Sequence, residues 1–167
     1  MNQLNEDRIL SNGVERISVE EAVLAIIIRA EFRREGISFF TEDTLSQQLA
    51  FMRHPAGKVI EPHVHNPVPR EVQFTQEVLF IRKGRLRVDF YDRDQCYLES
   101  RLLDAGDVIL LIQGGHGFEV LEEIEMIEVS RVPMSASATR PVLPRSITVG
   151  SSFRNMIDDA GRPPAGV

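Results

Sequence analysis

From residue 47 onward, apolar and polar positions recur in short runs separated by turn residues, and each run reads as a β-strand. The pattern predicts strands over 47–53, 58–65, 72–82, 85–91, 97–103, 108–112, 116–121 and 124–132. His54-Pro55-Ala56-Gly57, Lys83-Gly84, Asp92-Arg93-Asp94-Gln95, Asp104-Ala105-Gly106-Asp107, Gly114-Gly115 and Glu122-Glu123 supply the turns between them. Pro62 interrupts the second run, and Pro67 and Pro69 make residues 66–70 a loop, because proline cannot donate to a ladder. Strands at this spacing predict an all-β antiparallel sandwich or barrel.

Upstream the pattern is weaker. Residues 1–17 are polar and poorly patterned, with a turn signal at Asn12-Gly13. Ser18-Val19-Glu20-Glu21 has the form of a capping box that would open a helix. Ile26, Ile27 and Ile28 are consecutive and β-branched, however, so 23–29 reads as a strand. A charged turn over 31–36 follows, and then a short helical turn after Phe39 and Phe40, capped by Thr41. After Pro133 the chain holds neither a period of 2 nor one of 3.6, and 134–167 reads as a poorly structured tail. The organisation expected is an N-terminal extension over 1–45 that packs on the barrel, the barrel over 46–133, and the tail over 134–167.

Composition narrows the class. A chain of 167 residues suits one domain, and 43% hydrophobic residues suit a globular core. The net charge of −6 and the lack of a basic stripe argue against nucleic acid. No apolar run reaches the roughly 18–20 residues of a membrane span, and the run at 24–28 lies too far in for a secretion signal. Cys96 is the only cysteine, so a reducing cytoplasm is the expected compartment and a strand position the expected role.

The chemistry gathers in one stretch. His63 and His65 are two apart, so on a strand both imidazoles point to the same face. Glu77 lies on the run at 72–82, whose alternation sends Gln73, Thr75, Glu77, Leu79 and Ile81 inward. His116 follows Gly114-Gly115. Three imidazoles and one carboxylate are a donor set for Fe, Mn, Co, Ni or Zn as divalent ions, and on an octahedral ion they leave two positions for water or substrate. Imidazole binds a metal only when neutral, so affinity should fall with pH through the histidine range. His54, at its Pro-Ala-Gly turn, is not counted in the set.

These residues resemble the cupin family. Its first motif runs from a glycine through five residues to His-X-His, and closes with a glutamate six residues before a second glycine. Gly57, His63 and His65 match the opening, and Glu77 and Gly84 match the close. The gap between His65 and Glu77 is eleven residues long, where three or four are usual, and it brings in Glu71 as a second carboxylate. The glycine spacing and the run Val78, Leu79, Phe80, Ile81 favour Glu77. Gly106 through Leu111 fits the second motif, with Ile112 at its proline position, His116 one residue early and Val120 at its late asparagine.

The resemblance covers about residues 46–132. It implies a double-stranded β-helix, or jelly roll, with a divalent metal held by His63, His65, Glu77 and His116. It also implies a small-molecule ligand and a homodimer. Cupins include isomerases, epimerases, dioxygenases, decarboxylases and binders without turnover. The run around His63 and His65 is also similar to an uncharacterised cupin group often found beside polysaccharide and sugar-nucleotide genes. A sugar derivative or small acid is therefore the expected ligand, whether turned over or only bound. Arg70, in the loop beside the His pair, is a candidate contact for an anionic ligand. Glu61 and Glu71 are the nearest carboxylates to serve as a base. A metal-free epimerase would instead need a His–Asp pair and Tyr91 or Tyr97 as acid. The outward face of 72–82 carries Val72, Phe74, Val78 and Phe80, so a cover is expected from strand 23–29 or a second subunit.

Overall fold

The structure is a computed structural model and describes residues 9–10, 13–67, 69, 72 and 74–130. Within these the chain is all-β. The strands are β1 (Ile9–Leu10), β2 (Val14–Val19), β3 (Ala22–Ile28), β4 (Gly36–Phe39), β5 (Ala50–Arg53) and β6 (Glu77–Lys83). Then follow β7 (Arg85–Tyr91), β8 (Tyr97–Asp104), β9 (Val108–Leu111), β10 (Gly115–Val120) and β11 (Glu125–Ser130). All pairings are antiparallel. Six strands form one sheet in the order β1-β2-β3-β9-β6-β11, and three form another in the order β10-β7-β8. β4 and β5 pair only with each other.

The two larger sheets bury their facing sides against each other. Ile17, Ala25, Ile27, Leu79, Ile81, Ile109 and Leu111 from the first meet Leu86, Val88, Phe90 and Leu103 from the second. The period of two explains the set: Leu86, Val88 and Phe90 point in, while Arg87 and Asp89 between them point out. Both sheets end in edges among the described residues, and no closed barrel forms. β10 and β11 are the edge strands on one side of the sandwich.

The opposite face of the larger sheet is apolar too. Val14, Ile26, Ile28, Leu110 and Ile112 on that face are covered by Phe32, Phe40, Leu45, Leu49 and Phe51. Phe32 packs edge-on to both Phe40 and Phe51, with ring centroids 5.3 and 5.0 Å apart. The expected cover, strand 23–29, does something else. Its β-branched run pairs edgewise with β2 and β9 inside the sheet, and the segment from Phe32 to Phe51 covers the face instead. Gln76 fastens that cover, accepting hydrogen bonds from the Ser46 hydroxyl at 3.2 Å and the Gln47 N–H at 3.0 Å.

Other expectations need correcting. Residues 58–65 form no strand: Pro62 lacks a donor, no neighbouring strand pairs with the segment, and its side chains are exposed. The strand expected over 72–82 begins only at Glu77, and that over 47–53 only at Ala50. β2 falls in a stretch that reads as unpatterned, because Glu15 and Arg16 stand among its apolar residues. Glu15 is held there by Arg29 and Arg101, and Arg16 donates to the Phe40 carbonyl. Glu20 and Glu21 form the β2–β3 turn, with Glu20 at φ 52°. Thr41 caps no helix; its hydroxyl accepts the Leu49 N–H at 3.1 Å. Cys96 is exposed in the turn before β8 rather than in a strand, and its N–H reaches the Asp92 carboxylate. Arg87 is largely covered and forks onto Asp89. The tail over 134–167 lies outside the described residues.

Candidate metal centre

Glu77 opens β6 on its inward face, in register with Leu111 of β9 on one side and Ser130 of β11 on the other. His116 sits on β10 opposite Phe90 of β7, so it too faces inward, from the other sheet. The two side chains meet across the interior, with His116 Nε2 3.3 Å from Glu77 Oε2. Both are mostly shielded: the Glu77 side chain is 10% exposed and the His116 side chain 22%. The Phe118 ring lies 5.2 Å from the imidazole. A polar pair in an apolar cleft is costly unless its members satisfy each other or a bound group, and this pair can do either.

His63 and His65 lie outside this pair. Their rings contact edge-on with centroids 5.2 Å apart, on an exposed segment without strand partners. His63 Nδ1 lies 2.9 Å from the Glu61 carbonyl oxygen. A carbonyl only accepts, so this bond puts the proton on Nδ1 and leaves the Nε2 lone pair for a ligand. The four residues therefore stand as two pairs. Among the described residues no group of three or more His, Cys, Asp or Glu side chains converges in a form that holds a metal.

The remaining candidates place as follows. Arg70 and Glu71 lie outside the described residues. Glu61 is exposed and touches His63 through its backbone. Tyr97 donates or accepts at the Ser100 hydroxyl, which donates to Asp89, on the side of β7 away from Phe90 and His116. His116 meets a glutamate, so the His–Asp–Tyr arrangement of a metal-free epimerase is not assembled around it. An open cleft between the β2–β3 and β7–β8 turns, lined by Glu20, Glu21, Asp92, Arg93 and Asp94, does not include Glu77 or His116.

Asp107 was readable from sequence only as a turn residue, and it is that and more. It is buried, accepts the Asp104 and Ala30 N–H groups, and pairs with Arg29 at 2.8 Å. No described helix is long and apolar enough to cross a membrane. The fold and site thus define an all-β antiparallel protein with a carboxylate–imidazole pair between its two larger sheets. No family model matches the chain, and neither does any curated protein or solved structure.

Proposed function

We propose that the chain is a metal-binding cupin of the jelly-roll type, in which Glu77, His116, His63 and His65 hold one divalent ion beside a site for a small polar molecule. The observation that carries this reading is the 3.3 Å approach of Glu77 and His116 from two different sheets into a shielded interior. Their donor atoms belong to residues 39 positions apart that the motif spacing had already joined. Two further features support it. The His63 tautomer leaves a nitrogen lone pair free. β10, which carries His116, is an edge strand among the described residues.

When bound, the ion would supply Lewis acidity toward a carbonyl or hydroxyl, or oxygen activation if it is iron. The chain's own residues orient and screen. Glu77 supplies negative charge inside the cleft. Phe118 and Leu111 flank the pair. Arg70 is the candidate contact for an anionic group, and a sugar derivative or small acid is the ligand class. Turnover and simple binding are separated by assaying oxygen consumption and sugar isomerisation on the metal-loaded protein.

The test is metal content in protein purified without a histidine tag. The native chain should carry, or take up when offered, one equivalent of Fe, Mn, Co, Ni or Zn. The double variant His63→Ala, His65→Ala should lose it while keeping the native melting profile. A native chain that takes up none of these ions would overturn the proposal.

A further inference from the structure

Glu77 is the first residue of β6, and both of its ladders end there, with Leu111 of β9 on one side and Ser130 of β11 on the other. The end of a strand frays unless something ties it down. Here the tie is Gln76. The period of two that turns Glu77, Leu79 and Ile81 into the interior turns Gln76 and Val78 toward the outer face, where both meet the cover that runs from Phe32 to Phe51. Gln76 is 4% exposed, and its Oε1 accepts from the Ser46 hydroxyl and from the Gln47 N–H.

The loop that supplies those two donors is braced from within. The Thr41 hydroxyl accepts the Leu49 N–H and donates to Gln48 Oε1 at 2.9 Å. Gln48 Nε2 in turn donates to the Glu42 carbonyl at 2.9 Å and the Leu45 carbonyl at 3.2 Å. Leu45 and Leu49 seat the loop on the apolar outer face of the larger sheet. Gln76 is thus gripped by a fixed point, and Glu77 is one peptide bond further on. The Glu77–His116 contact, at 3.3 Å, is near the limit of a useful hydrogen bond, so a small shift of the carboxylate breaks it.

We infer that Gln76 is a positioning residue for the Glu77–His116 pair. By fastening the start of β6 to the loop over 41–49, on one face of the sheet, it holds the Glu77 carboxylate within reach of the imidazole on the other. The effect on the pair stands on the contacts above; its consequence for metal binding rests on the site proposed in the preceding subsection.

Nitrogen NMR of the histidine rings in the full metal-free chain tests it, with the His116 signals assigned by their loss in His116→Gln. Gln76→Leu should move the His116 ring-nitrogen shifts. Ser46→Ala, which removes one of the two donors and leaves Gln76 in place, should move them in the same direction by less. Arg29→Met is the control: it weakens the fold without touching the pair, and should leave the His116 shifts where they are. Zinc titration then reads the site. Gln76→Leu should bind about tenfold more weakly, as groups that orient a metal ligand without touching the ion do. Unmoved His116 shifts in Gln76→Leu would overturn the inference, whatever the melting temperature does. If Gln76→Leu fails to fold, Ser46→Ala decides by the same shifts. A native chain that binds no zinc counts against the proposed site, and the ring shifts still decide the inference. Equal zinc affinity with unmoved His116 shifts overturns the inference and leaves the site standing.

Discussion

Arg29 joins four parts of the chain through one side chain. Its guanidinium donates to Glu15 at 2.6 Å, to Asp107 at 2.8 Å and to the Leu102 carbonyl at 2.6 Å. It thereby ties β2, the end of β3, β8 and the β8–β9 turn together. Burial works against its charge, yet the hydrogen bonds to Glu15 and Asp107 more than offset this and raise its pKa. A raised arginine pKa stabilises the fold at every pH below the ordinary arginine range, so this group adds no pH dependence under working conditions. Asp107 is the more buried partner, and without Arg29 it would keep only the Ala30 and Asp104 N–H groups. Arg29→Met should therefore cost about 2–3 kcal/mol in urea denaturation, toward the lower end of what breaking a buried pair costs. A loss under about 0.5 kcal/mol would mean that the pair behaves as an ordinary surface bridge. Glu77 and His116 belong to the same scale and differ in kind, because their contact spans the two sheets and ties no turn.

At the scale of elements, the β6–β7 hairpin is the part of the fold most tightly specified by one residue. Gly84 takes φ +83° in its turn, and a Cβ there would overlap the Glu123 carbonyl of the β10–β11 turn. Gly84→Ala should cost at least about 2 kcal/mol, since backbone strain and steric overlap act together; the melting temperature reads this. A native-like melting temperature would show that the two turns separate easily. This hairpin was also legible in the sequence. Lys83-Gly84 between alternating runs placed β7 at its observed bounds, Arg85–Tyr91, and the turn signal at 104–107 placed β9 within a residue. The inward set Glu77, Leu79, Ile81 was readable for the same reason: one face of β6 is buried, so the period of two is enforced. Residues 58–65 misled because alternation signals a strand only where a neighbouring strand accepts its hydrogen bonds. β2 and β4 were missed for the converse reason. Polar residues there are held by partners distant in sequence, Glu15 by Arg101 and β4 by β5, and no local pattern reports them.

For the whole molecule, core packing and site chemistry are separable. The interior of the sandwich is closed by ordinary apolar packing and needs neither a metal nor a second copy. Glu77 of β6 and His116 of β10 meet in the interior between the two larger sheets. Of the candidate site, the motif spacing joined Glu77 and His116, and the structure brings those two together, while His63 and His65 lie apart on an exposed segment. That His63 and His65 stand apart was not legible, because strand pairing rather than spacing decides where a segment lies. The most direct measurement is X-ray absorption at the metal edge on the full chain loaded with one equivalent of zinc. The account predicts outer-shell scattering from three imidazoles with one carboxylate oxygen, reduced to one imidazole in the His63→Ala, His65→Ala variant. A spectrum without imidazole scattering, or one that the double variant leaves unchanged, would contradict it.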